Sequence, residues 1–239
     1  MSSKGVKMVS PKIVSLKTSS LRGSWDLVFS ADHLVCSGWV GKDPKALQAH
    51  IDELAHLGVP GPNRVPIYMN FSNYLLTTDD EVTVISDKSS GEVEYVLLRQ
   101  GEEIWVTVGS DQTDREVETK SIPASKQMYA KCFAPECWPY PEVRDHWDRL
   151  ILRCRVNKGD EKRLYQEDSL SSILGPQELL ENMPQEGLTK NGGLVLFSGT
   201  IATKGGLVYG DSYDLELEDP VLKRSIKYSY KVKILPQYI

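Results

Sequence analysis

Apolar and polar positions alternate along much of the chain, and a period of two predicts a protein built mainly of strands. Ile104, Val106 and Val108 alternate, as do Tyr213, Leu215 and Leu217, and then Ile226, Tyr228, Tyr230, Val232 and Ile234. The stretch from Glu92 to Leu98 begins with alternation and ends apolar, and Gly193 to Phe197 is a short apolar run of the kind buried on both faces. Helical spacing is clearest from Pro44 to Leu57, where Leu47, Ile51, Leu54 and Gly58 share a face with Leu57 at its edge. Asp43 can cap that helix, Pro44 suits its first position and Gly58 ends it. A second short helix is expected from Thr113, because Thr113-x-x-Glu116 has the spacing of a capping box, and a third fits Pro176 to Asn182. Strands dominate and helices decorate one side, so the fold class is β-rich α+β. With no repeat, no low-complexity segment and no long Pro/Gly/Ser linker, residues 1–239 read as a single domain.

Composition narrows the choice of partner. At 239 residues the chain can build a core without disulfides or a structural metal. Its formal net charge of −5 argues against general affinity for nucleic acid. No apolar run reaches the roughly 18 residues that would suggest a membrane span. Met1 to Lys17 has no apolar block of the secretory kind, and Leu235 to Ile239 carries no targeting tetrapeptide. With no secretory signal, Cys36, Cys132, Cys137 and Cys154 are expected as reduced, semi-buried thiols, and the cytoplasm is the expected compartment. None forms a C-x-x-C pair, which disfavours zinc.

The chemistry begins at Glu92-Val93-Glu94. On a strand, residues two apart face the same side, so both carboxylates project together. Taken alone, the triplet is also what a solvated strand face carries. Ser110-Asp111-Gln112-Thr113-Asp114-Arg115, followed by Lys126, changes the balance by adding a carboxylate and two bases. Three carboxylates with open positions suit a hard divalent ion such as Mg2+, and Arg115 or Lys126 can meet the residual charge or an anionic substrate. His50 and Glu53, three apart on the first helix, form a second candidate in which Glu53 orients His50 as a general base. A surface His/Glu pair is the competing reading. His33, in a polar turn, His56, away from the apolar stripe, and His146, among charges, look structural. The chain has no G-x-S-x-G elbow, no Walker A loop and no G-x-G-x-x-G after a strand, and Gly192-Gly193 and Gly205-Gly206 read as turns.

Together these residues resemble the fumarylacetoacetate hydrolase superfamily. Glu92-Val93-Glu94, Asp111-x-x-x-Arg115 and Lys126 are similar to its E-x-E, D-x-x-x-R and Lys elements, and His50-x-x-Glu53 to its catalytic dyad, with Pro62 to Pro66 where a Pro-containing segment follows. Val156-Asn157-Lys158-Gly159 and Tyr165-Gln166 resemble its V-N-G and Q elements. Leu196-Phe197-Ser198-Gly199-Thr200 resembles the L-x-x-G-T strand that closes its substrate pocket. The order holds from about Cys36 to Val232, leaving residues 1–35 as divergent N-terminal strands. The Glu94-to-Asp111 and Asp111-to-Lys126 intervals are shorter than usual, and Glu118 stands where a glutamine is common. Tyr68, Met69, Asn70 and Phe71 occupy the region where a lysine is usual.

The resemblance implies a mixed β-sandwich or roll with peripheral helices, a homodimer, and Mg2+ (with Mn2+ or Ca2+ as alternatives) held by Glu92, Glu94 and Asp111. It also implies a small 2-oxo acid or β-dicarbonyl substrate whose C–C bond breaks through a metal-stabilised enolate. In that scheme His50, held by Glu53, activates water, while Lys126 and Arg115 bind the substrate carboxylate or the developing enolate, and Gly199 and Thr200 line the pocket. A lyase of the same fold (decarboxylase, hydratase or tautomerase) and a non-catalytic ligand-binding homologue are the alternatives.

Overall fold

A computed structural model describes residues 10–56, 61–186, 188–189 and 191–238; the side chains of residues 50 and 53–56 lie outside the described set. Among the described residues the first strands are β1 (Lys12–Ser20), β2 (Gly23–Gly38), β3 (Ile67–Phe71), β4 (Leu76–Thr77), β5 (Glu81–Val84) and β6 (Ser89–Ser90). Then come β7 (Val93–Gln100), β8 (Glu103–Asp111), β9 (Thr113–Asp114), β10 (Lys131–Phe133) and β11 (Glu136–Pro139). The series ends with β12 (Ile151–Lys158), β13 (Glu161–Ser169), β14 (Gly193–Phe197), β15 (Ser212–Asp219) and β16 (Arg224–Ile234). The α-helices are α1 (Pro44–His56), α2 (Arg115–Glu118), α3 (Ile122–Gln127) and α4 (Pro176–Asn182).

The larger sheet runs β11-β1-β2-β14-β7-β8-β10-β4, with β3 also on β2. Strand β11 pairs with β1 through Lys17↔Glu136 and with β8 through Trp138↔Val106, so β11, β1, β2, β14, β7 and β8 close into a ring. A second sheet, β13-β12-β15-β16-β5, packs against it. The alternation along β7 explains the two cores: Val96 and Leu98 join Phe29, Leu34 and Phe197 in one, while Tyr95 and Leu97 meet Leu152, Leu215 and Tyr230 of the second sheet in the other. A strand buried on both faces ends apolar, as the Glu92 to Leu98 pattern required. On β15, Tyr213, Leu215 and Leu217 point inward and are buried, as expected from their alternation.

The helix readings hold with one correction. Asp43 caps α1 by accepting from the Lys45 and Ala46 amides at 2.9 and 3.4 Å. The proposed stop at Gly58 lies outside the described residues. The helix after β8 is capped by Asp114, which accepts from the Val117 amide at 3.0 Å, and not by Thr113, which pairs with Ser90 in β9. Asp114, itself extended, is the last residue before the helical turn begins at Arg115, so its carboxylate is the one placed to meet the amide three residues on. Helix α3, too short to show a period, was not anticipated; Ser121 caps it through the Ala124 amide. His33 lies in β2, not a turn. All four cysteines are buried free thiols. No helix among the described residues is long and apolar enough to cross a membrane.

Candidate metal centre

The antiparallel register of β7 and β8 builds the site. Val93 pairs with Ser110 and Glu94 with Gly109, and the Asp111 amide donates to the Glu92 carbonyl at 3.1 Å. Glu92, Glu94 and Asp111 therefore share one face, the face that carries Val96 and Leu98 further along. Each offers an oxygen within 4.8 Å of the others. Glu94 and Asp111 are almost fully buried. Opposite Glu94, Gly109 admits no side chain, since a Cβ there would lie 2.7 Å from the Cys132 carbonyl oxygen.

Cations surround the carboxylates. Lys126, near the end of α3, places its ammonium 2.8 Å from Glu92 Oε2 and 2.7 Å from Asp111 Oδ2, and donates to Thr113 Oγ1 at 3.2 Å. Arg115, at the start of α2, lies 2.9 Å from Glu92 Oε1 and 2.9 Å from Glu118 Oε2, and its Nε donates to Ser90 at 2.7 Å. Lys131 pairs in register with Asp111 across β10 and β8; its Nζ donates to the Gln112 carbonyl at 3.0 Å. That ammonium is also 2.7 Å from Asp111 Oδ1, an ion contact whose angles do not make a hydrogen bond, so Oδ1 keeps no hydrogen-bond partner.

These neighbours pull the carboxylates apart in acidity. Burial alone would raise Glu92, but Lys126 and Arg115 outweigh it and hold the group at about 2. Glu94 goes the other way: burial first, and then the charge of Asp111, push it well above the usual carboxylate range. For Lys126 burial opposes the charge, and Asp111, Glu92 and Glu94 together overcome it and raise the group.

The donor set fits a divalent cation. Glu94 Oε1 is a buried acceptor that no hydrogen bond or cation meets, a costly arrangement unless something positive fills it, whereas Asp111 Oδ1 already has the Lys131 ammonium beside it. Three carboxylates, one just before β7, one in β7 and one at the end of β8, are the hard oxygen ligands that Mg2+, Mn2+ or Ca2+ prefer.

The remaining sequence candidates distribute unevenly. Gly199 sits at φ +84°, where a Cβ would lie 2.8 Å from Val40 Cγ2, and its amide donates to Glu94 Oε2 at 2.8 Å. Thr200 donates its hydroxyl to the Val93 carbonyl at 2.8 Å and accepts from Gln166 Nε2 at 2.7 Å, so that hydroxyl is already engaged within the protein. His50 and Glu53 lie on α1, but their side chains are outside the described set. A separate open cleft, lined by Lys42, Tyr140, Arg144, His146, Trp147 and Glu178 among others, includes none of these residues.

Three residues escaped the sequence reading of chemistry. Lys131 left a signal, a lone lysine inside the run Tyr129-Ala130-Lys131-Cys132-Phe133-Ala134, where a buried charge demands a partner. Glu118, a departure from the resembled pattern in the sequence, is a second acid for Arg115 in the structure. Gln166 was matched as a motif, whereas the fold makes it a clamp that also accepts from the Val93 amide at 3.1 Å.

No curated protein sequence matches the chain. Among solved structures, a fumarylacetoacetate hydrolase family protein from Yersinia pestis CO92 is 18% identical, covering 90% of this chain and 99% of its own, with a TM-score of 0.61. A 5-carboxymethyl-2-hydroxymuconate delta-isomerase from Mycobacterium smegmatis is 18% identical, covering 90% and 86%, with a TM-score of 0.59. The 2-keto-3-deoxy-D-arabinonate dehydratase complexed with magnesium and 2,5-dioxopentanoate is 16% identical, covering 89% and 77%, with a TM-score of 0.58. At such identities the likeness establishes the fold, which is that of the fumarylacetoacetate hydrolase family, as the sequence motifs implied. By sequence the chain belongs to the family described as "Protein of unknown function (DUF2848)", whose model matches residues 37–230.

Proposed function

We propose that the chain is a divalent-cation-dependent enzyme acting on a small 2-oxo acid or β-dicarbonyl compound, and that its reaction is hydrolytic cleavage of a C–C bond. The observation that carries this reading is Glu94 Oε1, a buried carboxylate oxygen with no partner, clustered with the carboxylates of Glu92 and Asp111. Glu92, Glu94 and Asp111 would hold a divalent ion, which when bound would supply Lewis-acid stabilisation of charge developing on a carbonyl oxygen. The Gly199 amide fixes the rotation of Glu94, and Lys131 balances Asp111 from the far side. Arg115 and Lys126 add the positive potential that draws in a carboxylate substrate. His50, steadied by Glu53, removes a proton from the water that attacks the distal carbonyl carbon. As the C–C bond breaks, its electron pair goes to the departing carbon, and His50 returns the proton to that carbon. A cytoplasmic homodimer completes the reading.

The dehydratase neighbour, solved with magnesium and 2,5-dioxopentanoate, favours a second reading, a lyase that needs no attacking water. One experiment separates the two. Oxo acids and β-diketones are turned over with and without Mg2+ in oxygen-18 water, using wild type and His50→Ala. Hydrolysis predicts solvent oxygen in the product acid and a loss of about 10²–10⁴ in rate for the variant, with metal binding retained. Full activity in His50→Ala without solvent oxygen rules out hydrolysis and leaves the lyase.

A further inference from the structure

Lys126 stands where a divalent ion would draw its ligands together. Its ammonium has three protons and three acceptors: Glu92 Oε2 at 2.8 Å, Asp111 Oδ2 at 2.7 Å and Thr113 Oγ1 at 3.2 Å. Two of the three candidate ligands are thus already joined by a cation. This is no surface lysine reaching inward by chance, since it is only 6% exposed and is delivered by a helix with its own serine cap.

The charges of the site point the same way. Glu92, Glu94, Asp111 and Glu118 supply four acids, and Arg115, Lys126 and Lys131 supply three bases. With every group ionised, the cluster is one negative charge from neutrality before any metal arrives. A divalent ion turns that deficit into one excess positive charge, which a singly charged anion cancels and a doubly charged one overshoots.

We infer that Lys126 is a tethered counter-cation that competes with the divalent ion for Glu92 and Asp111, so that the ion binds weakly alone and firmly only together with a singly charged, chelating oxo acid. The inference rests on the metal-and-oxo-acid reading above and adds the charge class of the substrate and the coupling between substrate and ion. On entry of the ion, the lysine gives up its contact with one or both carboxylates. The Lys126 charge then faces the incoming anion.

The test is calorimetric titration of Mg2+, and separately Mn2+, into the full chain, with pyruvate as the singly charged probe. Lys126→Met should bind Mg2+ at least tenfold more tightly than wild type, and Lys126→Gln should behave alike if the methionine variant does not fold. Lys126→Arg keeps the charge and should stay within about threefold of wild type, a span of roughly half a decade in binding constant. Melting supplies an independent readout, because the neutral variants should melt below wild type without metal and regain the difference with it. In wild type, saturating pyruvate should tighten Mg2+ at least tenfold, and 2-oxoglutarate should do less. Equal or weaker Mg2+ affinity in the neutral variants overturns the role of Lys126 while leaving the metal site standing. Unchanged Mg2+ affinity at saturating pyruvate overturns the coupling. Failure of wild type and both neutral variants to bind either ion overturns this inference and the metal reading together.

Discussion

Replacing Glu94 with glutamine should move the metal-free and metal-loaded proteins in opposite directions. The residue is 1% exposed, its Oε1 has no hydrogen-bond partner, and burial together with Asp111 raises its pKa well above 4.5. Its charge therefore destabilises the metal-free fold, and a neutral amide of the same shape removes that cost, worth about 1–3 kcal/mol for a buried unsatisfied group. For a chain of this size each kcal/mol moves the melting temperature by about 2–4 °C. In wild type, Mg2+ at a hundred times its Kd adds about 2.7 kcal/mol, or roughly 5–10 °C. If loss of one carboxylate ligand weakens the ion about a hundredfold, the same Mg2+ concentration adds only about 0.4 kcal/mol to Glu94→Gln, near 1 °C. Differential scanning calorimetry in EDTA and in Mg2+ reads both numbers. The pH dependence has a definite sign. A carboxylate whose folded pKa is raised contributes its full stability below the ordinary 4.5, and that contribution is lost as pH rises through the raised value. The advantage of Glu94→Gln in EDTA must therefore widen with pH and close toward acid. A variant that melts below wild type in EDTA, or that keeps the full Mg2+ increment, refutes the reasoning.

Two further outcomes can be checked directly, the first from the geometry and the second from the resemblance. Gly199→Ala meets both a left-handed backbone and Val40 Cγ2 at 2.8 Å, and should lose about 1–3 kcal/mol in urea unfolding along with most Mg2+ affinity, because the amide that steadies Glu94 shifts; wild-type values for both would show that the contact yields freely. The proposed homodimer should appear by light scattering at micromolar concentration as twice the 26.8 kDa chain mass, and a monomer there rejects it.

Local pattern carried the parts of the structure that local chemistry decides. The strand β14 and helix α4 match their sequence spans, because a short apolar run and a proline start are self-contained signals. One spacing rule puts Glu92 and Glu94 on one face, whereas Asp111, which ends β8, joins them through the β7–β8 register. The closed ring was not legible, because β11 joins β1 and β8 across intervals that no periodicity reports. The same limit hid Lys131, whose burial exists only once β10 lies beside β8. The sequence leaves Arg115 and Lys126 either to balance the carboxylates or to grip a substrate, and the fold ties both to Glu92.

The closed ring has a consequence in time. Strand β7 is flanked by β14 and β8, and β8 by β7 on one side and by β10 and β11 on the other, so neither ligand-bearing strand has a free edge from which to fray. Their amides can exchange with solvent only when much of the molecule opens, on the slow clock of global unfolding. Helix α1 keeps a faster clock: Lys45, Ala46, Gln48 and Ala49 are exposed, and only Leu47 and Ile51 among its described side chains are half-buried. Hydrogen exchange should therefore divide the molecule into a carboxylate cradle that outlasts many turnovers and a helix that opens and recloses within the lifetime of that cradle.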